Sequence, residues 1–200
     1  MWHPIKHYKT ITNHRHLVVK GCFEVGLYRQ GLLHDLSKYS PVEFIPGAIY
    51  YKGTESPNNS ERKKKGHSSA WLHHKGRNKH HFEYWIDYTL APDHHIGGNK
   101  MPVKYVVEMY VDRVAASKNY QKEQYDDSSA LKYYEKGKNR YMMHADTEKL
   151  LVKLLTYLAK NGEEATNDYI RREILHTDGK VRLVKKAVEL YHKLSSRATN

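Results

Sequence analysis

The chain has 200 residues, a formal net charge of +12, 15 histidines and a single cysteine, Cys22, so no intramolecular disulfide can form and a reducing, cytoplasmic setting is expected. No apolar run reaches the ~18 residues of a membrane span, and Met1-Trp2-His3-Pro4 lacks the apolar stretch of a secretory leader. With 39% hydrophobic and 28% charged residues the composition is globular, and the basic balance fits a phosphate-bearing partner: a phosphorylated small molecule such as a nucleotide, or nucleic acid.

Residues 13–30 carry Leu17, Val18, Cys22, Val25 and Gly26 at helical spacing, and Gly31 is expected to end or bend that helix. A second helical piece holds Gly31 to Lys38. Ser40-Pro41-Val42-Glu43 reads as a capping box with proline in the first turn, starting a short helix that Pro46-Gly47 disturbs. Lys52 to Gly66 has loop composition throughout and is expected at the surface. Helical signal resumes near Ser68 and reaches Trp85, with Gly76 as a candidate break, and Pro92 to Asn99 is a turn. Pro102 opens a strong helix to about Asn119. The leucines at 150, 151, 154, 155 and 158 form a stripe stopped by Asn161-Gly162. Val181, Val184, Val188, Tyr191 and Leu194 form another. No segment alternates like a strand, and the fold expected is all-α: a helical domain over 1–145 and a C-terminal helical extension over 146–200.

Histidines concentrate between His67 and His95. The sharpest element is His34-Asp35, since an imidazole and an adjacent carboxylate can meet one divalent cation. An isolated pair of this kind is more often a helix-end ion pair. Here it has company: His14 and His16 upstream, His73-His74 and His80-His81 downstream, and Asp112 in an otherwise apolar helix, where an unpaired carboxylate is costly. Were residues 14 to 34 one straight helix, His14 and His34 would stand about 30 Å apart at ~1.5 Å per residue. Sharing an ion therefore requires the chain to fold back, and Gly31 is the expected place. If residues 68–85 stay helical, one histidine of each downstream pair faces the site; if Gly76 breaks the helix, both pairs can converge.

The order H…HD…D resembles the HD-domain superfamily of metal-dependent phosphohydrolases. The string His34-Asp35-Leu36-Ser37-Lys38 is similar to that family's HD-x-x-K variant. More narrowly, HDLSKYSPVEF, AWLHHKGRNKHHFEYW and VEMYVDR, over about residues 10–145, resemble an uncharacterised family of bacterial and phage proteins. The resemblance implies an all-α bundle and one or two divalent ions (Mn, Zn, Fe or Co). It implies metal ligands at His14, His34, Asp35, Asp112 and among His73, His74, His80 and His81, with Asp35 bridging and Lys38 reaching a substrate phosphate. His14 matches the upstream ligand better than His16, and His67 has no counterpart. Lys75, Arg77 and Asn78 are candidate substrate contacts.

Each position also has a plainer reading. Asp112 could be the partner of a buried cation, Lys38 a last-turn cation, and Arg77-Asn78 a polar turn. Trp71, Tyr84 and Trp85 are core or pocket wall. His94, His95, His144, His176 and His192 take surface or packing roles, and Arg182, Lys185, Lys186 and Lys193 a solvated helix face. The leading expectation is hydrolysis of a nucleotide or other small phosphoester, with catalysis resting on Asp35 and Lys38. Two alternatives stand beside it. One is an HD-type di-iron oxygenase; the other is a non-catalytic nucleic-acid binder using Arg62-Lys63-Lys64-Lys65 and the basics between Lys75 and Lys79.

Overall fold

A computed structural model describes residues 2–90 and 95–198, with side chains described up to residue 193. Pro92 and His94, and the side chain of Leu194, lie outside the described residues. The fold is all-α apart from one small hairpin.

Helix α1 (Pro4–Glu24) starts with proline in its first turn and buries His7, Ile11, His14, Val18 and Cys22, one per turn along a single stripe. It stops earlier than its apolar pattern implies. The chain reverses at Val25–Leu27, where Gly26 takes a φ of 80° and the Leu27 amide donates back to the Cys22 carbonyl at 2.8 Å. Helix α2 (Tyr28–Leu33) then runs back along α1. Gly31 is therefore not the breaker. It sits inside α2, where an added Cβ would come within 2.9 Å of Cys22 Cβ, so its role is close helix approach.

A 3-10 turn at Leu36–Tyr39 leads into α3 (Pro41–Ile49), which carries Pro46 internally. The segment expected as loop holds α4 (Pro57–Lys65). Pro57 opens it, and Gly66 closes it in the left-handed conformation at φ 81°. Glu61 anchors it: this buried carboxylate accepts from Ser68 Oγ at 2.7 Å and Ser69 Oγ at 3.0 Å, tying α4 to the start of α5 (Ser69–Lys75). Ser68 caps α5 by accepting from the Trp71 amide at 3.1 Å. The chain leaves the helix at Gly76. Strands β1 (Ile86–Tyr88) and β2 (Ile96–Gly98) pair antiparallel, Ile86 opposite Gly98; with three residues each, they are too short to show alternation in the sequence.

The core lies between α1 and α6 (Val103–Gln121), with α7 (Ser129–Gly137) and α8 (Ala145–Tyr169) closing it. Val18, Cys22 and Val25 meet Val107, Tyr110, Val111 and Val114, and Leu151, Leu154, Leu155 and Leu158 of α8 belong to the same cluster. The stop expected at Gly162 is a break inside α8 (φ 79°, ψ 171°), after which the helix resumes and passes into a π-helical turn at Ile170–Ile174. Helix α9 (Asp178–Ala198) is docked by Val181 and by Lys185 on Glu24, at 2.8 Å, and is exposed from there to residue 193. Among the described residues no helix is long and apolar enough to cross a membrane.

Candidate metal centre

The reversal at Gly26 brings the end of α2 beside the middle of α1, so His34 reaches His14, with ring centroids 5.8 Å apart. Asp35 follows in the left-handed conformation at φ 53°, a strained choice for a side-chain-bearing residue that Asp tolerates better than most. This turns its carboxylate into the bundle beside His34, where Asp35 is 1% exposed.

The two oxygens of Asp35 face different neighbours. Oδ2 lies 3.2 Å from His34 Nε2 and 3.7 Å from His14 Nε2, and Asp112 Oδ1 completes the group at 3.0 Å from His14 Nε2 and 3.5 Å from His34 Nε2. Oδ1 lies 3.2 Å from His74 Nε2 and 3.4 Å from His80 Nε2, and His81 Nε2 stands 2.9 Å from His74 Nε2. In each set the donor atoms lie within 4.8 Å of one another. Metal bonds of about 2.0–2.2 Å place neighbouring donors roughly 3.0–3.5 Å apart, which is the spacing seen. The residues fit an ion on a second count as well. Oδ1 of Asp35 and the Nε2 atoms of His14, His34 and His80 are buried without a hydrogen-bond partner, and Asp35 Oδ2 has only its ion pair with Lys38, a state a folded protein rarely leaves unanswered. These buried His and Asp groups could hold a metal ion.

Two glutamates that the sequence reading passed over orient the imidazoles. Glu108, one turn before Asp112 on α6, accepts from Nδ1 of His34 at 3.1 Å, and Nδ1 of His80 lies 3.2 Å from the same oxygen. Glu43 accepts from Nδ1 of His74 and Nδ1 of His73, both at 2.7 Å. Carboxylates at Nδ1 leave Nε2 as the free lone pair aimed at the cluster. Glu43 thus does not close the expected capping box, and Ser40 makes no side-chain cap. The spacing 108/112 on one apolar helix was a legible signal for Glu108; for Glu43 the capping pattern masked it.

Because α5 ends at Gly76, both downstream pairs approach the site, and three of the four histidines converge. His73 is the exception: it is absent from both donor sets, its Nδ1 is held by Glu43, and it is partly exposed. Asn78 donates to Ser37 Oγ at 2.9 Å and to the His74 carbonyl at 2.8 Å, so it braces α5 against the 3-10 turn. Arg77 is exposed and donates to the His73 carbonyl, and Lys75 stands near Glu83. Trp71 packs against the histidine cluster, its ring 4.6 Å from that of His81, with Arg62 stacked over it at 5.3 Å. Tyr84 is exposed, and Trp85 packs against the core. His16, His67, His95 and His192 are exposed, and His144 caps α8 by accepting from the Asp146 amide at 3.1 Å.

Lys38 Nζ forms an ion pair with Asp35 Oδ2 at 2.5 Å. Burial works against its charge, but Asp35 and Asp112 outweigh this and raise its pKa, so it stays an ammonium. Burial likewise opposes the charge on Asp35, yet His34, Lys38 and His74 hold its carboxyl well below the usual carboxylate range. His81 is pushed the other way: burial first, then His80 and His74, keep it neutral, the form that donates a lone pair. Asp112 and Lys38 are 16% and 27% exposed, so the buried cluster opens to solvent on their side.

The basic run expected to read nucleic acid is largely engaged within the chain. Lys63 pairs with Glu55 at 2.6 Å, Lys65 with Glu61 at 3.3 Å, and Arg62 with Asn59 and Trp71. Arg182 pairs with Asp178 and Lys185 with Glu24, so that part of α9 is not simply solvated.

No curated protein and no solved structure shows significant similarity to the chain. A family model described as a family of unknown function, DUF5662, matches residues 3–157, a span that contains every donor of both sets, and the chain belongs to that family.

Proposed function

We propose that the chain is a metal-dependent phosphohydrolase of the HD-domain type, acting on a nucleotide or other small phosphoester. His14, His34, Asp35 and Asp112 would hold one divalent ion, and Asp35, His74, His80 and His81 a second. The observation that carries this reading is Asp35, whose two oxygens face two separate nests of His and Asp donors, with the Nε2 atoms of His14, His34 and His80 buried without a hydrogen-bond partner. Borderline imidazole and hard carboxylate donors suit Mn, Zn, Fe or Co.

Ions bound there supply Lewis-acid charge and lower the pKa of a water toward neutrality. The chain's own residues do the rest. Glu108 and Glu43 fix the rings of His34, His80 and His74. Lys38, at the solvent-facing edge, places a permanent positive charge where a phosphoryl group would arrive. The engaged state of Arg62, Lys63 and Lys65 weighs against reading this region as a nucleic-acid surface.

The test is metal analysis of protein purified without added metal, followed by phosphoester hydrolysis with manganese, zinc or cobalt. Hydrolysis that Asp35→Ala abolishes is the expected result. Iron as the resident metal together with oxygen consumption would replace the hydrolase with the oxygenase, and full activity in Asp35→Ala would remove the site from the reaction.

A further inference from the structure

The outer face of α3 has no partner among the described residues. Val42, Ile45 and Ile49 recur at helical spacing and are 52%, 46% and 44% exposed. Leu36, in the turn leading into α3, and Leu72, on α5, which packs against α3, are each about half exposed. The only charged residue of α3, Glu43, points the opposite way, onto His73 and His74. Half of five large aliphatic side chains, with Pro41 and Pro46 among them, is on the order of 500 Å² of charge-free apolar surface, more than scattered surface hydrophobics explain.

We propose that this face joins two copies of the chain in a two-fold symmetric dimer, α3 of one copy lying antiparallel across α3 of the other. The area decides in part: with a polar rim it approaches the ~600–800 Å² per partner that a specific interface needs. Charge decides the rest. Copies carrying a net +12 repel at a basic face. On α3 they meet without facing cations, and a two-fold contact needs only a patch complementary to itself. Nucleic acid and anionic lipid headgroups are recognised by lysine and arginine, which this helix lacks. Covering α3 also steadies Glu43 from behind. The dimer itself does not rest on the metal reading.

The experiment is light scattering with size exclusion, and sedimentation, on the full chain from about 1 to 200 µM. The mass of two chains is expected, with association strengthened, not weakened, between 0.1 and 1 M NaCl, because salt screens repulsion and leaves apolar contact intact. Ile45→Asp with Ile49→Asp is expected to raise the dissociation constant at least 100-fold while the far-UV dichroism stays that of the parent. Leu183→Asp, on exposed α9, should leave the dimer intact. Should the double variant not fold, Ile45→Cys supplies the answer: near the two-fold axis it forms an interchain disulfide on mild oxidation, over a low background because Cys22 is fully buried. A monomer throughout the concentration range overturns the proposal. So does a dimer that survives the double variant, absence of the Ile45→Cys crosslink, or binding of the monomer to lipid vesicles through this face.

Discussion

Removing the proposed ions has a cost that can be worked from the cluster. Without them, four buried donor atoms, Oδ1 of Asp35 and Nε2 of His14, His34 and His80, lack any partner, each worth about 1–3 kcal/mol when unanswered. Protonation of histidines recovers part of this, so the linkage relation gives the better figure. An ion at 100 times its dissociation constant stabilises the folded state by about 2.7 kcal/mol, and two ions by about 5. For a chain of this length 1 kcal/mol moves Tm by roughly 2–4 °C, so chelation should lower Tm by about 10–20 °C. Differential scanning calorimetry with EDTA, then with one and two equivalents of manganese or zinc, reads this directly. The variants sharpen it. Asp35→Asn should bind neither ion tightly, whereas Asp112→Asn and His81→Ala should each lose one and keep about half the shift. A Tm indifferent to chelator and metal would refute the argument, as would equal stoichiometry in Asp35→Asn and Asp112→Asn.

Glu108→Gln keeps the shape but weakens the acceptor at His34 Nδ1, and a 10–100-fold loss of metal affinity by calorimetric titration is expected with the fold retained. Gly47→Ala places a Cβ 2.2 Å from His7 Nε2 in the α1–α3 contact, so urea unfolding should show a loss of about 1–3 kcal/mol. Burial, helped by Lys38, holds His7 down at about 4 against 6.5. Above pH 6.5 it is neutral folded and unfolded and contributes nothing. Between 6.5 and 4 the unfolded chain binds a proton that the folded one refuses, so stability falls with pH by about 2 kcal/mol after allowance for screening. The fall should be smaller by that amount in His7→Gln, measured over the same range.

How much of this was legible follows from where the signals live. The all-α class and the long helices α6 and α8 are written in apolar spacing that local physics enforces. The donor atoms were legible by residue type, because buried histidines and a carboxylate amid valines have few uses. What local sequence could not show was set by tertiary contact. Gly31 looks like a breaker, but the space beside Cys22 decides its role, and the turn falls to Gly26. Lys52 to Gly66 looks like loop because nothing in its composition reveals that Glu61 will be buried against Ser68 and Ser69. Glu43 fits a capping box on spacing alone; two imidazoles outbid the backbone amide for it.

The position of Asp35 ties these threads together. A residue in the left-handed region, fully buried, with one oxygen lacking any hydrogen bond and the other held only by Lys38, is unfavourable on three separate counts. An ordinary helix-end ion pair with His34 would need none of them, since one exposed oxygen and a relaxed backbone suffice. The arrangement also draws in the middle of α1, the end of α2, the segment around α5 and the centre of α6, and adds Glu108 and Glu43 to orient the rings. Packing alone does not account for that convergence, because leucine at these positions would fill the space at lower cost. A cation shared among the donors would account for it, since it would answer Asp35 Oδ1 and the imidazole nitrogens together, where Lys38 reaches only Oδ2.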